Sequence, residues 1–153
     1  MHQFFATVAW QRDGQDFAGQ RYSRGHEWQF DGGLTVAASS SPLSVPLPMS
    51  VPANIDPEEA LVAATSSCHM LFFLSLAAQR GYVIDDYRDA AVGDLGKNAA
   101  GRLAMTRIVL RPRIAFAGTP PSPEALAALH HDAHERCYIA NSLTADVVVE
   151  GAD

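Results

Sequence analysis

Residues 56–80, DPEEALVAATSSCHMLFFLSLAAQR, predict one long helix around which we expect the other elements to pack. Asp56 can serve as the N-cap, and Glu59 stands three residues later, as in a capping box. Gly81 follows as a helix terminator. No charged residue separates Glu59 from Arg80. Because a helix with almost no polar face must be covered, we predict that it is central and buried on all sides.

A single thiol, Cys68, lies in the middle of this helix. Its neighbours one turn away include Ala64 and Leu71, and an apolar setting leaves a thiol unreactive unless a cation is close. The uncharged run is also long enough to suggest a membrane span. Polar residues such as Thr65 and His69 interrupt it, so we predict a helix buried in protein and no membrane partner.

The chain of 153 residues is 48% hydrophobic and 18% charged, which predicts a single domain over residues 1–153 with a substantial core. Its net charge of -6 argues against nucleic acid as a partner, because phosphate binding requires clustered Lys and Arg. No secretory signal pattern precedes the first predicted strand, so we expect a cytoplasmic protein. Two cysteines, Cys68 and Cys137, are too few for a disulfide scaffold and in a reducing compartment would begin as thiols.

The N-terminal third predicts three strands and a loop. Residues 3–10 are rich in aromatic and β-branched side chains, which is typical of a strand. The Asp31-Gly32-Gly33 turn predicts a hairpin between strands at 27–30 and 34–37. Serines and prolines dominate residues 39–54, so we expect a stiff loop that leads into the long helix and could form a wall of a site.

After Gly81 the pattern predicts a second hairpin, a second helix and a last strand. The predicted ranges are 87–95 and 103–116 for the hairpin arms, 123–138 for the helix and 143–150 for the strand. Runs of strands with only two helices predict an α+β fold, in which antiparallel sheets pack around two main helices.

The second helix carries His130, His134 and Cys137 on one face, at offsets of four and three. Zinc uses these residue types, so a zinc-binding protein is one alternative. A second alternative is a binding module in which a pocket beside Cys68 holds a small apolar ligand and the cysteines only pack. Spacing alone leaves open whether Cys137 comes near Cys68.

Two motifs carry a resemblance. In the first, Pro57-Glu58-Glu59 precedes an alanine-rich turn, and Cys68 follows ten residues after Glu58. The second is Ala133-His134-Glu135-x-Cys137-x-Ile139-x-Asn141. Paired at this separation, they resemble the OsmC and organic hydroperoxide resistance family of thiol peroxidases. The resemblance extends over essentially the whole chain, and it implies an OsmC-like fold and an intertwined homodimer.

The resemblance also implies a cysteine-based hydroperoxide reductase. Cys68 would be the peroxidatic cysteine, Cys137 the resolving cysteine, and Glu58 a site carboxylate. An arginine of the N-terminal strands would favour the thiolate, and a carboxylate can hold such an arginine. Arg21 and Arg24 are both candidates, and we prefer Arg24 because it is closer to the predicted hairpin.

Organic hydroperoxides are the expected substrates, because the apolar Leu71, Phe72 and Phe73 lie beside the thiol and the 39–54 loop adds further apolar residues. The resemblance implies no cofactor, and it implies an external dithiol, such as a lipoyl-type group, as the reductant. Ten residues of helix separate Glu58 from Cys68 by about 15 Å, too far for one arginine to contact both in the same chain. We therefore expect a homodimer whose sites draw residues from both chains.

Overall fold

The computed structural model describes residues Met1–Gly151, which form two compact units divided between Ala60 and Leu61. The first unit contains β1 (Ala6–Ala9), β2 (His26–Phe30) and β3 (Thr35–Ala38). The long helix α1 (Pro57–Gln79) begins there and continues into the second unit. The elements that follow are β4 (Val83–Asp89), β5 (Val92–Lys97), β6 (Leu103–Leu110), β7 (Pro112–Ala117), α2 (Pro123–Arg136) and β8 (Asp146–Val149). This is the predicted α+β class with two main helices, whereas the single domain over 1–153 stays a prediction.

The first unit is built on an antiparallel sheet in the order β1-β2-β3. The predicted hairpin is confirmed, with Trp28 opposite Val36 and Gly33 at a φ of 88°, a value that favours glycine. The loop that follows is fixed by its own polar groups. The buried Ser39 donates its N–H to the Ile55 carbonyl (2.9 Å) and accepts the Val51 N–H with its Oγ (3.0 Å).

The second predicted hairpin is present, but each of its arms breaks into two strands. β4 pairs with β7, and β5 pairs with β6, in two separate sheets. The break coincides with Asp89, whose carboxylate accepts the Arg111 N–H (2.6 Å) and the Ser66 hydroxyl of α1 (2.5 Å). Pro112 directly follows Arg111 and has no N–H to donate, so the ladder of hydrogen bonds cannot continue through it. The sequence predicted a single long strand for the later arm because its alternation continues from Ile108 to Phe116, through the break.

β8 corrects the expectation of purely antiparallel sheets. It pairs with β6 in parallel, completing a three-stranded sheet in the order β5-β6-β8. The chain returns to the sheet through α2, and such a helical crossover is the connection that parallel neighbours require.

Both ends of α1 are formed as predicted. Asp56 Oδ1 accepts the Glu59 N–H (2.8 Å), and Glu59 Oε2 accepts the Asp56 N–H (3.2 Å), which completes the capping box. At the other end Gly81 has a φ of 82°, and the Tyr82 N–H donates to the Ala77 carbonyl (3.0 Å).

The prediction that α1 is covered on all sides is wrong for the single chain. Its buried residues form one stripe: Thr65, His69, Phe73, Leu76 and Ala77. The last three pack with Leu129 and Ala133 of α2 in the main core of the second unit. Another stripe is exposed, and Leu71 within it is 60% exposed. By length and composition α1 is the one helix among residues 1–151 that could cross a membrane, a property it shares with core helices of soluble proteins.

Candidate active site

The two thiols meet where the C-terminus of α2 packs against α1. Cys137 is the C-cap of α2 and is 1% exposed. Its Sγ lies 4.0 Å from the Thr65 carbonyl of α1 and accepts the Ala140 N–H (3.4 Å), and the Cys68 thiol is near enough to affect its pKa. Both cysteines are free thiols. The structure thus brings together the two cysteines that sequence spacing left unconnected.

The two thiols differ in environment. Burial, followed by the influence of the neighbouring Cys68 thiol, raises the pKa of Cys137 to about 11. Cys137 is therefore protonated at neutral pH and shielded from solvent. Cys68 is only partly buried, so it is the thiol that a dissolved reagent can reach.

The structure distinguishes the two candidate arginines. Arg21 forms a surface ion pair with Asp16. Arg24 is partly buried and has no ion pair within the first unit. Its guanidinium lies 3.7 Å above the Tyr22 ring, and its Nη1 donates to the carbonyls of Tyr22 (2.6 Å) and Gln20 (3.1 Å). Its charge is thus available to a group outside this unit, although its role stays a prediction.

Glu58 lies in the first turn of α1 and is partly buried. It forms no ion pair with Arg24 or with any other residue of the first unit. The carboxylate and the preferred arginine therefore both lack a counter-charge there. Their roles, like those of the two cysteines, stay predictions.

A buried histidine pair, which sequence reasoning missed, lies between the same two helices. His69 Nε2 and His130 Nδ1 are 3.0 Å apart, the rings are parallel, and the two side chains are 1% and 5% exposed. Burial is the first cause that lowers the pKa of each histidine to about 4, so both are neutral at pH 7. The sequence did contain a signal for a buried His69, because it lies four residues from Thr65 and four from Phe73 on the same face of α1.

The zinc alternative has no site in the part of the chain that the structure describes. Among residues 1–151 no three His, Cys, Asp or Glu side chains converge so that they could hold a metal ion. His130 faces His69, whereas Cys137 faces Cys68. The predicted ligand face is therefore divided between two different contacts.

Apolar side chains flank the thiols. Phe72, one turn after Cys68, packs edge-on against Tyr138, with 5.1 Å between the ring centroids. Leu71 and Tyr138 are both exposed. We call Leu71, Phe72 and Tyr138 the apolar shelf.

A separate apolar cleft of about 590 Å³ lies between β7 and the start of α2. Its lining residues are Ile114, Phe116, Pro120, Pro121, Pro123, Leu126 and Ala127. None is a predicted site residue, so the cleft is not the pocket beside Cys68 that the apolar-ligand alternative required.

Comparisons with known proteins agree with this architecture. A family model described as "OsmC-like protein" matches residues 52–151. A solved OsmC-like protein of unknown function from Vibrio cholerae is 53% identical, with a TM-score of 0.96 over 98% of this chain and 99% of that one. No curated protein matches the chain significantly.

More distant solved structures share the fold. An organic hydroperoxide resistance protein from Elizabethkingia anophelis is 15% identical, with a TM-score of 0.73 over 100% of this chain and 98% of that one. The organic hydroperoxide resistance protein OhrB of Bacillus subtilis is 16% identical, with a TM-score of 0.67 over 97% of each chain.

Proposed function

Since the chain belongs to the OsmC-like family, we propose that it is a thiol-dependent peroxidase that reduces organic hydroperoxides to alcohols. Cys68 is the peroxidatic cysteine and Cys137 the resolving cysteine in this proposal. The observation that carries it is the proximity of a partly exposed thiol and a buried one on two helices. Structures of the same fold that are named organic hydroperoxide resistance proteins support the substrate class.

The first step is attack of the Cys68 thiolate on the outer oxygen of the hydroperoxide. An S–O bond forms and the O–O bond breaks, so the sulfur is oxidised to sulfenic acid and the peroxide is reduced to an alkoxide. The alkoxide takes a proton and leaves as the alcohol. Arg24, with no counter-charge in its own unit, is suited to stabilise the thiolate and the negative charge that develops on the peroxide.

The second step is condensation of the Cys137 thiol with the sulfenic acid. An S–S bond forms, and the hydroxyl leaves as water with the proton of Cys137. The raised pKa of Cys137 suits this order, because a protonated, buried thiol does not compete for peroxide and waits for the sulfenic acid to form beside it. A small external dithiol, for example of the lipoyl type, then reduces the disulfide by exchange and is itself oxidised. No cofactor takes part.

The apolar shelf supports a preference for organic peroxides. Leu71 and Phe72 follow Cys68 by one helical turn, and Tyr138 directly follows Cys137. An alkyl or aryl group bound there loses contact with water, which stabilises the complex by about 25 cal/mol per Å² of apolar area. Hydrogen peroxide has no such group.

A homodimer with shared sites completes the proposal. The exposed stripe of α1 consists of Ala64, Ser67, Leu71, Ser75 and Ala78. This stripe needs a cover, and a second copy whose α1 runs antiparallel supplies one. If the two α1 helices cross near Ala63, midway between Glu58 and Cys68, Glu58 of one protomer lies near Cys68 of its partner. An Arg24 guanidinium between these two groups would pair with the Glu58 carboxylate and stabilise the Cys68 thiolate.

The central test compares the two cysteine variants in a single turnover with cumene hydroperoxide. Cys68→Ser should consume no peroxide, because it lacks the nucleophile. Cys137→Ser should consume one equivalent to form sulfenic acid and, when peroxide is added in excess, a second equivalent that oxidises it to sulfinic acid, which mass spectrometry detects. Equal behaviour of the two variants would reject the assignment of roles.

The shared site has a test of its own. Cys68→Ser and Glu58→Ala proteins, each inactive alone, are unfolded and refolded together. Heterodimers should contain one intact site and recover part of the activity. A wild-type monomer by light scattering at micromolar concentration, or verified heterodimers without activity, would contradict the shared geometry.

A further inference from the structure

We propose that Tyr22 is a positioning residue for Arg24. Its ring and its main-chain carbonyl hold the guanidinium so that one edge, Nε with Nη2, stays free for a carboxylate or a peroxide. This inference rests on the proposed function, in which Arg24 acts on the thiolate and the peroxide.

The contacts of Arg24 engage one side of its guanidinium. Nη1 donates to the carbonyls of Tyr22 (2.6 Å) and Gln20 (3.1 Å), and the central carbon lies 3.7 Å from the centre of the Tyr22 ring. A cation over an aromatic face is attracted by the quadrupole of the ring. The main chain is fixed as well, because the Arg24 N–H donates to the Met49 carbonyl (2.7 Å).

The Tyr22 ring is itself part of an aromatic cluster. It stacks on Phe17 with 4.9 Å between centroids and meets Trp10 edge-on at 5.4 Å. The Trp10 indole N–H donates to the Ser23 carbonyl (2.9 Å), which ties the cluster to the chain between Tyr22 and Arg24. The surface beneath the guanidinium is thus held by three aromatic rings and a hydrogen bond to the adjacent main chain.

The remaining edge of Arg24 is the one that recognises anions best. Nε and Nη2 have no acceptor among the residues of the first unit. Two parallel N–H groups at this edge match the two oxygens of a carboxylate, or the two adjacent oxygens of a peroxide. Because Tyr22 restricts the rotation of the side chain, less conformational entropy is lost when an anion binds. Arg21 contrasts with this arrangement, since its Nη2 already pairs with Asp16.

The experiment removes the ring and leaves the main chain in place. Tyr22→Leu should slow the single-turnover reaction with cumene hydroperoxide about five- to tenfold, the range expected for a lost cation–π contact. The ratio of iodoacetamide alkylation rates of Cys68 at pH 6 and pH 9 should fall as well. Tyr22→Phe keeps the ring and should stay within about twofold of wild type in both measurements. Arg21→Ala is the matched arginine control and should behave as wild type.

A double-mutant cycle separates positioning from general stability. In an Arg24→Ala background, Tyr22→Leu should cause no further slowing beyond about twofold, because the group that it positions is gone. An unchanged rate in Tyr22→Leu alone, or a full additional loss in the double variant, overturns the inference while the peroxidase function stands. The inference also fails if Arg21→Ala slows the reaction with cumene hydroperoxide and Arg24→Ala does not.

If wild type consumes no organic hydroperoxide, the proposed function fails and the alkylation ratio decides the role of Tyr22. An unchanged ratio in Tyr22→Leu then overturns the inference. A lowered ratio in Tyr22→Leu together with a wild-type ratio in Tyr22→Phe supports it. Circular dichroism of every variant confirms that the comparison is made between folded proteins.

Discussion

Lowering the pH from 8 to 5 should destabilise the protein through the His69–His130 pair. Burial lowers the pKa of both side chains to about 4, helped by His134 for His69 and by His69 for His130, while Asp89 opposes the shift of His69. In the unfolded chain the pKa of a histidine is about 6.5. Between these values the unfolded state binds protons that the folded state does not, so the free energy of unfolding falls as the pH falls from about 6.5 to about 4.

The size of the effect follows from the two pKa values. The difference of about 2.5 corresponds to about 3 kcal/mol per histidine when protonation is complete, and to about 2 kcal/mol per histidine at pH 5. The pair together gives an upper value of about 4 kcal/mol at pH 5, because part of each shift arises from a neighbouring imidazole. Above pH 6.5 both histidines are neutral in both states and their contribution is fully present.

Urea unfolding followed by circular dichroism at pH 8, 6.5 and 5 measures this loss. The matched variant is His69→Gln with His130→Asn, which places amide groups near the two contacting nitrogens and cannot titrate. Its free energy of unfolding should depend much less on pH than that of wild type. His131→Gln, at an exposed position of α2, should retain the wild-type dependence. The reasoning is refuted if the double variant and wild type lose the same free energy between pH 8 and pH 5.

Three other perturbations test the packing and the proposed substrate class. Gly93→Val should lower the free energy of unfolding by about 1–3 kcal/mol or more in urea titrations, because even a Cβ at this position would collide with Val62 of α1. Leu71→Asp should shift the protein toward monomer in light scattering, because it places a charge on the exposed stripe of α1; an unchanged mass would exclude this stripe as the dimer contact. Phe72→Ala should reduce kcat/KM for cumene hydroperoxide about tenfold and leave that for hydrogen peroxide nearly unchanged, because it removes most of the aromatic contact with Tyr138; equal losses for both peroxides would contradict binding on the apolar shelf.

Local signals in the sequence were sufficient for α1, whose start and end depend on neighbouring residues. The Asp56–Glu59 capping box and the Gly81 terminator are formed as predicted. The first hairpin was predictable for the same reason, since its turn glycine has the positive φ that the turn requires. The two motifs around Cys68 and Cys137 identified the family because both are short and continuous in sequence.

Features that depend on distant contacts were not predictable. The breaks in the second hairpin arise from Asp89, which binds groups of α1 and of the opposite arm that no local pattern reveals. The histidine pair joins positions 69 and 130, and each residue alone has the appearance of an ordinary helix residue. The burial of α1 was overestimated because an apolar sequence indicates that a surface will be covered, but not whether the cover comes from the same chain.

Cys68 and Cys137 are neighbours in the fold although they are 69 residues apart in the chain. A disulfide there would close a loop that contains the second half of α1, all four strands of the second hairpin and α2. In the chain-entropy description such a loop restricts the unfolded ensemble by about 4 kcal/mol. Each oxidation would thus make the protein more resistant to heat, and each reduction would return it to a less stable form. The melting temperature of the protein would then report how far the cell's supply of reductant keeps pace with its peroxides.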